Sequence, residues 1–301
     1  MSTLALRPRT ASELVDATFQ LTRAHYVPLL VLSTIMTAPT LVVSVLAAQA
    51  IRGMSTVGVG GAIGASVDLR SRLMTFGALF LASLWYFVID GAMVWYAAQV
   101  YLGHDAEPGA ALRRAFARTG RLIASNVVRL LFVGLGMLIP IVGITLATAS
   151  LAGTAQRSPG TAVLIGIGML AALAFMFAWL LFVFARYIVA APVLMLEDRG
   201  PVAALIRSSQ LMIGARRKTA MMLVLAFVVY IALALLASAP FGLVKATTMS
   251  QLVRSVVQIL LYPLFACLVT LIYYDRRVRK EALDIELLTG SLGSQPGADA
   301  A

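Results

Sequence analysis

Three ionisable side chains stand where lipid, not water, would surround them. Asp90, Arg129 and Arg186 each interrupt a long stretch that is otherwise apolar, at 73–103, 122–156 and 158–196. An isolated charge at the centre of a bilayer costs about 2.5–3.5 kcal/mol on insertion scales, so such groups face inward toward partners and often mark ion or substrate paths. Other chemistry has little to work with. The two histidines, His25 and His104, lie far apart at the borders of apolar stretches. No His-x-x-x-His, phosphate loop or Gly-x-Ser-x-Gly elbow occurs. Of 13 acidic residues, only Asp90 falls inside an apolar stretch, so no paired carboxylates are on hand there for acid–base work. The lone cysteine, Cys267, lies in the last apolar stretch and reads as a small packing residue. The chain reads as a non-enzyme, with no catalytic residue, cofactor or metal site expected.

The elements holding the three charges are long. A bilayer core needs about 20 apolar residues in a helix, and six segments meet that length: 27–51, 73–102, 123–152, 160–195, 219–244 and 253–274. Hydrophobic residues make up 60% of the 301 and charged ones 12%, too few to clothe a soluble protein of this size. The expected fold is all-α, a polytopic membrane helix bundle of about six transmembrane helices in a single integral membrane domain, 1–288. Residues 289–301, rich in Gly, Ser, Ala and Pro, read as a disordered tail. Ala48-Gln49-Ala50 has a small-x-small form, but the preceding run is too long for a leader and follows Glu13 and Asp16, so no cleavage is expected.

A repeat organises the spans. Asp-Ala-Glu-Pro-Gly-Ala-Ala-Leu, from Asp105 to Leu112, matches Asp-Arg-Gly-Pro-Val-Ala-Ala-Leu, from Asp198 to Leu205, and both follow an even-numbered span. A looser copy runs from Asp275 to Leu283. This predicts three hairpin units, each introduced by a cytoplasmic interfacial amphipathic helix, over 10–24, 107–121 and 201–215. Thr10-Ala11-Ser12-Glu13 has the form of a capping box, and Pro108 and Pro201 suit a first helical turn. In the second helix Leu112, Ala115, Phe116, Leu122 and Ile123 share a face opposite Arg113, Arg114, Arg118 and Arg121. Pro39, Pro140, Pro192 and Pro263 interrupt spans one, three, four and six, as kinks or as the broken helices from which binding sites are made. Gly134, Gly136, Gly143, Gly166 and Gly168 allow close helix approach, Ala162 and Gly166 as a small-x-x-x-small pair. The loop 52–72, with Gly58, Gly60, Gly61 and Gly64, reads as flexible.

Net charge is +11, and its distribution decides its meaning. With the N-terminus inside, sixteen Lys and Arg residues fall on inner segments and six on outer ones. Positive-inside bias therefore places both termini in the cytoplasm. The partner implied is a bilayer with anionic headgroups, not nucleic acid. The juxtamembrane candidates for lipid contact are Arg113, Arg114, Arg118, Arg121, Arg216, Arg217, Lys218, Arg276, Arg277, Arg279 and Lys280.

Three segments carry a family likeness. The first runs from Leu6-Arg7-Pro8 through Glu13-Leu14 and Asp16. The second holds Arg186-Tyr187, Ala191-Pro192, Leu196-Glu197, Gly200-Pro201, Ala204-Leu205 and Ser208. The third holds Tyr273-Tyr274-Asp275, Arg277, Arg279-Lys280-Glu281, Asp284 and Glu286-Leu287. Together they resemble the bacterial glycerophosphoryl diester phosphodiesterase membrane domain family, over almost the whole chain. The chain departs from that pattern at Ala282 and Leu283, where Gly and Phe are expected, and at Gln210, where Trp is usual. The resemblance implies a stand-alone module of the bacterial inner (cytoplasmic) membrane, without the soluble catalytic barrel, and carries over no catalytic residue.

Two functions remain. One is a non-catalytic scaffold or accessory module that contacts lipid, partner membrane proteins or a second copy of itself. The alternative is a transporter or channel with an internal polar pathway around Asp90 and Arg186. Asp90 lies 15 residues before Asp105 and Arg186 lies 12 before Asp198. Their depths should then differ by about 4.5 Å at helical rise, which an arginine side chain bridges. The expected pair is Asp90 with Arg186, and Arg129 is the rival partner.

Overall fold

Apolar stretches of this length have one remedy for their backbone polar groups in lipid, hydrogen bonding within the same segment, and the described residues of this chain take it. A computed structural model describes residues 8–55, 69–154, 159–243 and 247–282. Among them the structure is all-α, without strands. The helices are α1 (Ala11–Ala24), α2 (Tyr26–Ser55), α3 (Leu69–Tyr101), α4 (Pro108–Ala117), α5 (Thr119–Thr154), α6 (Pro159–Tyr187), α7 (Ala190–Leu196), α8 (Pro201–Leu211), α9 (Arg216–Leu243) and α10 (Thr247–Glu281). Six are long and apolar enough to cross a membrane: α2, α3, α5, α6 with α7, α9 and α10. The chain is a membrane protein. The Gly-rich part of the loop 52–72 and the tail 289–301 lie outside the described residues.

The short helices gather at one end of the bundle, here termed the capped end. Thr10 caps α1 in a full capping box with Glu13. The second surface helix is shorter than the predicted 107–121. It stops at Ala117, and α5 starts at Thr119, because Arg118 turns the elbow with its N–H on the carbonyls of Ala115 and Phe116. The third ends at Leu211, short of the predicted 215, and Gly214 at φ +82° makes the turn into α9. The looser third copy of the repeat forms no surface helix, since Asp275 lies well inside α10.

The prolines differ in effect. Span four breaks at Ile188–Val189, the residues four and three before Pro192, whose ring clashes with the i−4 carbonyl. Helices α2, α5 and α10 run through Pro39, Pro140 and Pro263 unbroken. Pro39 cannot bond the Ile35 carbonyl, and Trp85 of α3 donates its indole Nε1–H to that oxygen at 3.0 Å. Pro263 likewise frees the Ile259 carbonyl, and Ser33 of α2 donates its hydroxyl there at 2.9 Å. Each vacated carbonyl therefore becomes a joint between spans.

Packing is uneven. One core joins α1, α2, α3, α4, α7 and α10 around Leu29, Leu32, Met36, Ile89, Met93, Tyr96 and Tyr273. A smaller cluster, Val183, Tyr187, Ala190 and Leu205 with Phe132 and Trp179, binds the α5–α6 hairpin to α8. Spans α5, α6 and α9 turn most of their apolar surface outward, as a helix facing lipid does. Of the five glycines singled out, Gly136 alone makes a close approach: a Cβ there would sit 2.0 Å from the Trp179 indole, while those at 134, 143, 166 and 168 meet open space.

Candidate functional site

Asp90 is on α3, about eleven residues before that helix ends at the capped end. Arg129 is on α5, ten residues after α5 starts there, so the two share a depth of roughly 15 Å from that end. Tyr262 of α10 donates its hydroxyl to Asp90 Oδ1 at 2.5 Å. The Tyr86 ring lies edge-on to Tyr262, with centroids 5.1 Å apart. Arg129 is the cation whose charge reaches Asp90. It donates to Asn126 Oδ1 at 2.8 Å, and its guanidinium lies 4.6 Å from the Phe87 ring centroid. Three spans thus bring a carboxylate, a phenol and a guanidinium together within the apolar layer.

Arg186 does not join them, and the expected Asp90–Arg186 ion pair does not form. The depth reasoning required spans two and four to be neighbours. Span four meets α3 mainly through its short α7; α6, which carries Arg186, packs on α5, α9 and α8, while α3 packs on α2, α4, α10, α7 and α5. Arg186 lies against the Tyr187 ring at 5.3 Å with its Nε buried and without an acceptor. Its backbone carbonyl, released near the Pro192 break, accepts the Ser208 hydroxyl at 3.1 Å.

A second, denser constellation occupies the capped end. Glu197 follows α7 and is nearly buried, its side chain 9% exposed. Its Oε2 accepts from Arg207 and Arg199, each at 3.0 Å, and its Oε1 accepts the Tyr273 hydroxyl at 3.0 Å. Arg207 also pairs with Glu281, and Arg277 meets Glu281 at 3.0 Å and Glu197 at 4.0 Å. Asp275 of α10 accepts the Arg9 N–H at 2.9 Å and both contacts of Arg279, while Arg279 Nη2 donates to the Arg9 carbonyl at 2.6 Å. Arg9 before α1, Glu197 and Arg207 around α8, and Tyr273, Asp275, Arg277 and Glu281 of α10 thus converge at one end of the bundle.

Most cations expected to contact lipid are therefore engaged within the protein. Arg118, its side chain 14% exposed, donates to the Leu194 and Met195 carbonyls and pairs with Asp198 at 3.1 Å. Arg121 meets Asp198 at 2.6 Å. These contacts hold the Asp198 carboxyl below the usual carboxylate range, the Arg121 hydrogen bond most of all. Arg276 donates to the Leu211 and Ile213 carbonyls, Lys280 to Gln210 and Arg216 to Ser209. These cations close the C-terminal end of α8, whose last carbonyls lack helical partners. Arg113, Arg114, Arg217 and Lys218 stay exposed, with no ion pair among the described residues.

Sequence reasoning missed Tyr262, Glu197 as a hub, and Arg207. Tyr262 is eleven residues before Tyr273, three turns along the same face of α10, which was the available signal. Among the described residues no three His, Cys, Asp or Glu side chains gather as metal ligands. No curated protein and no solved structure matches the chain. A family model described as a domain of unknown function, DUF7847, matches residues 113–275, over half of the chain from α4 into α10, and the protein belongs to that family.

Proposed function

We propose that the protein is a non-catalytic multi-pass scaffold or accessory module of the bacterial inner membrane, with both termini and the capped end in the cytoplasm. The observation that carries this reading is the fate of the charges. Carboxylates and most cations at the capped end are consumed in fastening α8, α10 and the α6–α7 break to one another, which leaves a rigid face with Arg113, Arg114, Arg217 and Lys218 exposed. Such a belt at the headgroup level suits anionic lipid and acidic surfaces of partner membrane proteins, about 1 kcal/mol per cation near the surface. The resemblance to the glycerophosphoryl diester phosphodiesterase membrane domain family supports a module without chemistry of its own.

The test has two parts. Reporter fusions after residue 64 and residue 295 should read outside and inside respectively; the reverse would sink the orientation. In nanodiscs of mixed phosphatidylglycerol and phosphatidylcholine, native mass spectrometry should find the anionic lipid enriched around the wild type. Neutralising Arg113, Arg114 and Arg217 together should lower that enrichment, and an unchanged ratio would remove the platform. The runner-up, a transporter, is favoured by the Asp90–Tyr262–Arg129 cluster alone. Proton or ion flux in proteoliposomes that Asp90→Asn abolishes would make it the better reading.

A further inference from the structure

We infer that a cavity of about 400 Å³ at the capped end, between α1, α9 and α10, is a binding site for a phosphate-ester or phosphate anion. The inference deepens the proposed platform and rests on it. Four cations line the cavity, Arg9, Lys218, Arg276 and Arg279, against a single carboxylate, Asp275. That carboxylate is already neutralised by Arg279 and the Arg9 N–H. Arg276 and Arg279 each commit Nε and Nη2 to protein acceptors and keep Nη1 without one among the described residues. Lys218 is exposed and unpaired. Guanidinium groups present their N–H donors in a fork that fits phosphoryl oxygens, and an ammonium adds a point charge.

The backbone works in the same direction. Thr10 and Ala11, at the start of α1, and Ala215 with Lys218, at the start of α9, line the same cavity. The Thr219 N–H is the first of α9 to bond a carbonyl, that of Ala215 at 2.9 Å, so the N–H groups before it point out of the helix end. The α9 N-terminus thus brings partial positive charge to a space already ringed by cations, whereas that of α1 is closed by the Glu13 carboxylate of its capping box. Residues beyond Lys218 are apolar for a full span, which sets the cavity at the depth of lipid headgroups. A headgroup phosphate or a free phosphate would meet the same donors.

The test uses the full chain in nanodiscs. In the first arm, discs of phosphatidylcholine alone are titrated with inorganic phosphate by calorimetry. In the second, discs containing phosphatidylglycerol are exchanged into detergent, and tightly retained lipid is counted by native mass spectrometry. Saturable binding is expected in at least one arm: lipid alone names the headgroup as ligand, phosphate alone names a soluble anion. Lys218→Gln, at an exposed and unpaired position, leaves folding intact and should weaken that binding about tenfold, the scale of one charge-assisted hydrogen bond. Arg23→Gln, exposed in the last turn of α1 and outside the cavity, should bind as wild type. Absence of saturable binding in both arms, or equal weakening by the two variants, would overturn the site. If anionic lipid enrichment depends on Arg113 and Arg114 while Lys218→Gln binds as wild type, the cavity is refuted and the platform stands.

Discussion

Ala282 closes α10 at φ +51°, in the left-handed region that costs a residue with a Cβ roughly 1–2 kcal/mol. Ala282→Gly should therefore stabilise the protein, by about 0.5–1 kcal/mol after glycine's greater unfolded entropy is counted, seen as a raised melting temperature in detergent. An unchanged or lowered melting temperature would mean the backbone there is not strained. Asp198, also left-handed at φ +53°, behaves differently because aspartate tolerates that region and because its carboxylate is engaged. Its folded carboxyl is held below the usual range. The stability it contributes is then complete above the unfolded value near ~4 and is lost as pH falls below that value through the folded one. The effect is small, since the side chain is 67% exposed. Melting curves of wild type and Asp198→Asn should differ at pH 6 and converge toward pH 3; a difference independent of pH would assign the role to backbone conformation instead.

Among the elements, the vacated carbonyls explain how uniformly greasy spans find register. Ser33 on α2 bonds the Ile259 carbonyl because Pro263 cannot. Ser33→Ala should therefore cost about 1–2 kcal/mol in the native background, where a buried carbonyl is orphaned. In a Pro263→Ala background the new N–H can take that carbonyl, and the same Ser33→Ala change should cost markedly less. Equal costs in both backgrounds, read from reversible unfolding in mixed micelles, would refute the joint. Spans were legible in the sequence because length and apolarity alone define them, and the capping box of α1 because its chemistry is local. Neighbours were not legible. Spans apolar on all faces carry no stripe that says which side meets which helix: span four does meet span two, but through α7 rather than through the Arg186 segment of α6, which the sequence had no way to say. The capped end was legible as basic but misread in part. A row of Arg and Lys at a membrane border looks the same whether its acceptor is a phosphate or, as for Arg276 and Lys280, the carbonyls ending a neighbouring helix.

At the scale of the molecule, the bundle is a firm half and a looser half. Helices α2, α3 and α10 share the large core, whereas the α5–α6 hairpin turns outward and is tied back through α8, the Glu197 network and Arg129. Asp90 stands at the seam between the halves. Its hydroxyl partner, Tyr262, belongs to the firm half, and its cationic neighbour, Arg129, belongs to the hairpin. Removing Tyr262's hydroxyl as Tyr262→Phe should cost about 1.5–3 kcal/mol, the range for a hydrogen bond to a charged group. Asp90→Asn should cost a similar amount and leave Arg129 without its compensating charge. A double-mutant cycle separates these contacts. Asp90 with Tyr262 and Asp90 with Arg129 should each couple by more than about 0.5 kcal/mol, whereas Asp90 with Arg186 should be additive, because α6 packs on α5, α9 and α8 rather than closely on α3. Coupling between Asp90 and Arg186, together with additivity toward Arg129, would mean that span four rather than span three packs against α3 at that depth, and the arrangement of the hairpin would have to be redrawn.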